Sequence, residues 1–371
     1  LVSELSNAIT WNMNDKTMEG KMNFDAIVGN PPYQGDNHSQ IYPYFYLVSI
    51  KLTDKYASLI FPIGWQQPKN GNNLKLLNNP TIKNDNQIVS INNVQNVFPG
   101  IKGAEWVNIV LWQKDYDNGL NGEQLIYTNG KDPQKRKLQC EETKQNKPIE
   151  IITLHKIVSG IAGFKSMQSI TSVLKPYGLR TDVISDPVKY GFTLNDFADV
   201  KNNEKDHLIY TKGAQIKYLK STVKIPKITN SYDKYKVFVG YAWGNMSEKA
   251  GLGGAYSDII IGKPYEICTE TYQESGGFNS FNVARKHAKY LMTKFARALL
   301  YLNKNSQHST TAWGAVPVQD YHEDWWEKSI EEIDKELIKK YNIPNQIADF
   351  IDKNIQKKTE ANIINFNNED N

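Results

Sequence analysis

The chain has 371 residues and a formal net charge of +4, with 40% apolar, 23% charged and 11% aromatic residues. This length favours two domains plus extensions, and the apolar fraction supports a full hydrophobic core. No run of 18 apolar residues predicts a membrane-spanning helix, and two cysteines, Cys140 and Cys268, exclude a disulfide framework and a cysteine zinc site. We therefore expect a cytoplasmic protein with no membrane partner.

The first informative segment is a short apolar run, Phe24 to Gly29, followed by Asn30-Pro31-Pro32-Tyr33. The run is too short for a helix, is β-branched in its middle and ends in Gly, so it predicts a buried strand. The two prolines end the strand and stiffen the chain just past its carboxyl end. In open α/β sheets that edge is where ligands bind.

These four residues suit the methylation of an exocyclic amine such as adenine N6. The lone pair of this amine is delocalised into the ring, and two acceptors directed at its N–H bonds would free it for attack. The Asn30 side chain and the Pro31 carbonyl fit those roles, and Tyr33 offers a face for base stacking, worth roughly 1–3 kcal/mol. The alternative is a plain Pro-Pro turn capped by an aromatic.

The stretch from Phe24 to Gln34 resembles the catalytic motif of amino-methyltransferases that use S-adenosyl-L-methionine. It is most similar to the adenine-N6 DNA methyltransferases of restriction–modification systems that have a C-terminal target-recognition domain, including bifunctional type II (type IIG-like) enzymes. The resemblance implies double-stranded DNA as substrate, base flipping, and catalytic roles for Asn30, Pro31, Pro32 and Tyr33. It also implies a restriction endonuclease domain or subunit as a further partner.

The resemblance predicts three elements after the motif, and the sequence contains them in that order. An aromatic-rich helix runs from Ile41 to Leu52, and a strand from Tyr56 ends at Pro62. A hairpin opens at Val97-Phe98-Pro99 and is completed by Trp106 to Lys114. Phe98 matches the aromatic that the family places against the second face of the flipped adenine; the alternative is a core Phe at a strand start.

The Gly-rich cofactor motif of the family is not found before Phe24. We therefore expect a piece of a longer polypeptide that is inactive alone, with any nuclease upstream of Leu1. Ile9 to Asp15 resembles the strand that meets the adenine ring of the cofactor. Asn14 or Asp15, together with Asn30, is thus a candidate for cofactor binding, with a surface turn as the alternative for the first two.

Residues 151–300 carry a strong net positive charge, and their lysines accompany short β-like pieces. These pieces are His207 to Gly213, Ile216 to Leu219, Lys234 to Trp243 and Ile259 to Gly262. The alternation from Lys234 to Val239 predicts a half-exposed strand with lysines on one face. Because lysines neutralise phosphates, this region resembles a target-recognition domain, with Lys212, Lys217, Lys234 and Lys236 as candidate DNA contacts. A solvated lysine-rich face is the alternative.

The C-terminal sequence is predicted to be helical. One helix runs from Phe281 to Asn303, an acidic amphipathic helix from Trp325 to Tyr341, and a short one from Pro344 through Ile351. Residues from about 356 onward predict a frayed tail. None of the six histidines has metal-ligand spacing, so no metal site is predicted.

Together these patterns predict an α/β fold: the C-terminal half of a Rossmann-like methyltransferase sheet, then an α+β target-recognition domain and C-terminal helices. The expected domains are a partial methyltransferase domain (1–115), a polar linker (116–150), a DNA target-recognition domain (151–320) and a helical extension with a tail (321–371). The predicted function is site-specific methylation of adenine N6 in DNA. The alternatives are a protein-glutamine or rRNA amino-methyltransferase, a DNA-specificity module without catalysis, and a partner-docking protein that keeps the motif as a relic.

Overall fold

A computed structural model describes residues 24–35, 41–62, 87–94, 97, 107–116, 123–128, 133–137, 147–242, 252, 256–303 and 312–365. The chain divides into two compact units, Leu1–Ile149 and Glu150–Asn371. Among the described residues, no helix is long and apolar enough to cross a membrane.

The described part of the first unit contains one mixed six-stranded sheet and one helix. In chain order these elements are β1 (Phe24–Gly29), α1 (Tyr42–Leu52), β2 (Thr53–Pro62), β3 (Ile88–Val94), β4 (Val107–Gln113), β5 (Glu123–Thr128) and β6 (Gln134–Lys137). The strand order is β1-β2-β4-β3-β5-β6. β1, β2, β3 and β5 run in one direction, whereas β4 and β6 run in the other.

The core of this unit forms where α1 covers one face of the sheet. Alternate residues of β2 (Ala57, Leu59 and Phe61) point to that face and are buried. They pack with Tyr42 and Tyr46 of α1. At the junction of α1 and β2 the Thr53 hydroxyl donates to the Phe24 carbonyl at 3.0 Å and to the Tyr56 carbonyl at 2.8 Å. The junction therefore ties the helix, β1 and β2 together.

The predicted order of motif strand, aromatic helix, proline-ended strand and hairpin is confirmed, with three corrections. β1 is exposed rather than buried, with Val28 79% accessible, because it has a neighbour on one side only among the described residues. The first strand of the hairpin, β3, ends before Val97. The expected linker, 116–150, contains β5 and β6, which extend the sheet. Strands near the edge of a sheet can be polar, because they are less enclosed by the core. The polar composition of 116–150 therefore predicted a linker instead of strands.

The second unit begins with a helix and then alternates short strands and helices. Its elements in chain order are α2 (Ile149–Ser159), β7 (Phe197–Ala198), β8 (His207–Tyr210), β9 (Ile216–Leu219), β10 (Tyr235–Gly240), β11 (Ile259–Gly262), β12 (Ile267–Cys268), β13 (Tyr272–Phe278), α3 (Phe281–Met292), α4 (Lys294–Asn303), α5 (Ile330–Lys340), α6 (Asn345–Asn354) and β14 (Ile363–Ile364). In the described residues, the strands form two four-stranded sheets, β13-β10-β11-β14 and β12-β8-β9-β7. The predicted strands at 207, 216, 234 and 259 are confirmed.

The sheet that contains β10 is buried on both faces. Val237 and Val239 pack in the cluster formed with the helices, whereas Phe238 packs in a second cluster with Ile209 and Leu219 of the other sheet. The prediction of a half-exposed β10 is therefore wrong. Its alternating lysines suggested a solvent-facing side, but a second sheet covers that side.

The C-terminal helices differ from the prediction at their boundaries. The single helix expected over 281–303 is two helices separated at Thr293, and the carboxylate of Asp334 caps the second by accepting from the amides of Lys294 and Phe295, both at 2.8 Å. The acidic helix begins at Ile330, after a Ser329 capping box. It shares one core cluster with the other helices. The expected frayed tail instead supplies β14, which pairs with β11.

Candidate active site

Asn30-Pro31-Pro32-Tyr33 lies at one edge of the first sheet. The carboxyl ends of β1, β2, β3 and β5 meet at this edge, together with the amino ends of β4 and β6. Asn30 and Pro32 are exposed, Pro31 is buried and Tyr33 is half-buried. The tetrapeptide is therefore anchored by alternate residues and leaves the Asn30 side chain open to a ligand.

Tyr33 is held by the helix that follows it in the chain. Its ring meets the ring of Tyr42 edge to face, with centroids 6.2 Å apart, and Tyr42 in turn contacts Phe61 at 5.5 Å. The amide of Ile41 donates to the Tyr33 carbonyl at 3.3 Å. Aromatic pairs of this kind contribute about 0.5–1.5 kcal/mol each beyond the burial of their area. The aromatic-rich start of α1 thus sets the position of the motif.

The Tyr33 hydroxyl points into the packing rather than toward solvent. It is buried and has no hydrogen-bond partner among the described residues. Burial raises the pKa of Tyr33, so the phenol stays neutral. The exposed part of the ring, not the hydroxyl, is what this residue offers to a planar ligand.

A buried pair of asparagines at the same sheet edge was not predicted. Asn108, at the start of β4, lies between Phe61 and Asn93 in the strand register. Its side-chain amide donates to the side-chain carbonyl of Asn93, and both residues are at most 2% exposed. Within the part of the chain that the structure describes, the Asn93 Nδ2 and the Asn108 Oδ1 have no hydrogen-bond partner. The sequence signal was the presence of asparagine inside two otherwise largely apolar strands, β3 and β4. Burying an amide without a full set of hydrogen bonds costs free energy, so asparagine is unusual at such positions.

Three predicted site residues, Asn14, Asp15 and Phe98, lie outside the described residues. Of the four predicted DNA contacts, Lys212 is exposed just after β8, and Lys234 is partly exposed just before β10. Lys217 is partly buried and forms an ion pair with Asp199. In the described ranges, no group of three His, Cys, Asp or Glu residues could hold a metal ion.

Lys236 is not available to DNA, which corrects the prediction for this residue. It is fully buried, and its Nζ donates to the carbonyls of Ser231 at 3.1 Å and Tyr232 at 2.8 Å. Burial lowers its pKa to about 8. Lys236 therefore fixes the turn before β10 from inside the unit.

The comparisons with known proteins bear on the segment that carries the motif. Residues 1–98 match the family described as Eco57I restriction-modification methylase. The resemblance to restriction–modification adenine methylases is confirmed. A curated relative, an uncharacterized adenine-specific methylase of Mycoplasma pneumoniae, is 33% identical over an alignment of 126 residues that covers 30% of this chain. The chain covers only 28% of the length of that relative.

Solved structures of restriction–modification proteins are also similar to this chain. The type IIG restriction endonuclease BpuSI aligns at 11% identity and a TM-score of 0.33, over 85% of this chain and 45% of BpuSI. The type IIL enzyme MmeI, solved in complex with DNA, aligns at 13% identity and a TM-score of 0.40, over 89% of this chain and 52% of MmeI. A type I methyltransferase subunit from Streptococcus thermophilus aligns at 17% identity and a TM-score of 0.25, over 34% of this chain and 30% of that subunit. The chain spans about half or less of each.

Proposed function

We propose that this chain carries the catalytic motif and the DNA-recognising part of a site-specific methyltransferase. It would transfer a methyl group from S-adenosyl-L-methionine to adenine N6 of double-stranded DNA in a restriction–modification system. The observation that supports this most is the tetrapeptide at the sheet edge, where Asn30 is open and Tyr33 is fixed by α1. The first sheet would be the C-terminal half of a Rossmann-like methyltransferase sheet, and the second unit the target-recognition domain.

The role of Asn30 follows from the chemistry of the adenine amine. The side-chain oxygen of Asn30 and the carbonyl of Pro31 would each accept one N6 hydrogen, which favours a pyramidal nitrogen with a free lone pair. S-adenosyl-L-methionine supplies the electrophilic methyl carbon. An exposed amide side by side with a buried, rigid proline suits this task, because one acceptor can reach the substrate while the other is held in a fixed direction.

Tyr33 would stack on the adenine after the base has rotated out of the duplex. Its half-buried ring is suited to this, since one part is fixed in the core and the rest is accessible. Phe98 is proposed for the second face of the base.

Cofactor binding is proposed for Asn14, Asp15 and Asn30. Among these, Asn30 lies in the described chain. Its exposed amide at the carboxyl edge of β1 fits a polar ligand placed beside the strand end, as in other open α/β sheets. The residue could thus contact both the methyl donor and the substrate amine.

A methyltransferase for protein glutamine or rRNA would use the same two acceptors, because amides and base amines have the same delocalised lone pair. The second unit favours DNA, since it adds two sheets and a lysine-rich segment to the catalytic sheet. Equilibrium binding of S-adenosyl-L-methionine to the intact protein distinguishes these enzymes from a DNA-specificity module without catalysis. The enzymes should bind the cofactor, whereas the module should not.

The decisive experiment compares Asn30→Ala with Asn195→Ala, an exposed asparagine of the second unit, in the intact gene product. Methylated adenines in the DNA of expressing cells are detected by long-read sequencing, and DNA affinity is measured separately. We expect Asn30→Ala to abolish methylation and to keep DNA affinity within a few-fold, while Asn195→Ala changes neither. Equal loss of methylation and DNA affinity in Asn30→Ala would contradict the assignment.

A further inference from the structure

The connection between β9 and β10, residues 220–234, is rich in lysines. The four are Lys220, Lys224, Lys227 and Lys234, and Asp233 is the one acidic residue of the segment. Lys224 and Lys227 are exposed. None of the four forms an ion pair with another described residue, whereas Lys189 and Lys217 of the same unit do. Lys220 interacts electrostatically with Asp196, so the exposed positive charge of the segment is carried mainly by Lys224 and Lys227.

An aromatic cluster lies beside this segment. Leu219, the residue just before the segment, pairs with His207 of β8. The hydroxyl of Tyr232, which is part of the segment, lies 3.1 Å from Nδ1 of His207. Near the other end of the segment the rings of Tyr232 and Tyr265 are 5.3 Å apart, and the amide of Tyr265 donates to the Tyr232 carbonyl at 2.7 Å. These contacts join Tyr265 to the segment that carries the lysines and Tyr232, and residues 220–234 together with Tyr265 are called the rim below.

Tyr265 has a backbone conformation that bulky residues rarely adopt. Its φ is +68°, in the left-handed region, yet its side chain is 57% exposed. A glycine would fit the turn without strain, and the ring of Tyr265 packs edge to face on Tyr232 while more than half of the residue stays exposed. A strained residue with an accessible side chain points to a role outside the fold.

The rim is held in place from inside the unit. The Tyr232 carbonyl accepts from Lys236 Nζ as well as from the Tyr265 amide. Ile225 is 6% exposed and anchors the middle of the segment in the core. Next to it, a Cβ atom on Gly178 would come within 2.9 Å of the Cβ of Pro226. The lysines are therefore carried on a segment with a defined conformation.

We propose that this rim, residues 220–234 together with Tyr265, is the surface through which the second unit contacts duplex DNA. The lysines contact phosphates of the DNA backbone. Tyr265 packs against sugars or bases in the DNA groove that these phosphates border. This inference rests on the proposed function and adds to it which part of the unit faces the DNA. Charge complementarity favours a polyanion, and the exposed ring beside the lysines favours a nucleic acid among polyanions.

The first test is the salt dependence of DNA binding by the full chain. The double variant Lys224→Ala/Lys227→Ala is compared with Lys339→Ala/Lys353→Ala, which removes two exposed lysines from α5 and α6. Affinity for a 30-base-pair duplex is measured between 50 and 200 mM salt. The rim variant should make the negative slope of log affinity against log salt shallower by about 1.8, which corresponds to the loss of two phosphate contacts. The control should keep the wild-type slope.

The second test uses the backbone of Tyr265. Tyr265→Gly removes the ring and relieves the left-handed conformation, so the variant should fold at least as well as wild type. We expect its DNA affinity to fall by about fivefold or more, whereas Tyr265→Phe should keep affinity within about twofold. A thermal unfolding midpoint for each variant excludes a folding defect as the cause.

The outcomes separate this surface from the proposed function. If wild type binds DNA but the rim variant matches the control in slope and affinity, the surface is wrong and the proposed function stands. Unchanged affinity in Tyr265→Gly would remove Tyr265 from the surface. A wild-type chain that binds no duplex at 50 mM salt would overturn both the surface and the proposed recognition role of the second unit.

Discussion

The ring of Tyr33 and the ring of Tyr42 meet at 77° with 6.2 Å between their centroids. One residue belongs to the proposed catalytic motif and the other to the first turn of α1. Tyr42 is buried against Phe61 of β2, so Tyr33 is connected to the core of the sheet through α1. The position of the motif thus depends on a helix whose own aromatic residues are structural.

The Tyr33 hydroxyl should be dispensable, whereas the ring should not. Because the hydroxyl has no hydrogen-bond partner in the described ranges, Tyr33→Phe removes a buried polar atom without breaking a hydrogen bond seen there. We expect methylation by the intact enzyme to stay within about twofold and stability to stay equal or rise slightly. Tyr33→Ala should lower kcat/KM by about 5- to 150-fold, as expected for the loss of one stacked base. An equal loss of kcat/KM in Tyr33→Phe and Tyr33→Ala would mean that the hydroxyl contacts the substrate.

Asn93 and Asn108 should behave as one unit in stability measurements. Asn108→Val leaves the Asn93 side chain buried without its partner, which should cost about 1–3 kcal/mol of unfolding free energy. Replacing both residues by Val removes every unpaired polar atom of the pair, so the double variant should be close to wild type. Urea unfolding of the two single variants and the double variant gives the coupling energy. Additive losses would show that the two amides are independent.

The stability contribution of Lys236 should depend on pH above neutrality. Its pKa is about 8 in the folded protein and 10.5 in the unfolded chain, because burial disfavours the charged amine. Below about pH 8 both states hold the proton, and the folded state bears the full desolvation cost. Between pH 8 and 10.5 the unfolded state binds more protons, so stability rises with pH by at most about 1.4 kcal/mol per unit.

The measurement compares wild type with Lys236→Met. Met keeps the length of the side chain but has no titrating group. The unfolding free energy of wild type relative to the variant should increase from pH 7.5 to pH 9.5, since every other titrating group is the same in the two proteins. A difference that does not change with pH would mean that the Lys236 amine is not desolvated as the structure indicates.

Local sequence patterns predicted the types and the order of the elements around the proposed active site. The run before Asn30 is short and β-branched, and the aromatic helix and the proline-ended strand follow it in order, so their types follow from periodicity and proline chemistry. The match of residues 1–98 to a restriction-modification methylase family confirms the resemblance that these residues carry. These features depend on neighbours in the chain, which is why the sequence alone determined them.

Only the tertiary structure decided which polar residues are buried and which are exposed. Lys236 alternates with apolar residues as a solvent-facing lysine would, but a second sheet covers its side of β10. Asn93 and Asn108 become a pair because β3 and β4 are in register, and Tyr265 combines a left-handed backbone conformation with an exposed side chain. Burial and pairing depend on elements far apart in the chain, and no local pattern contains that information.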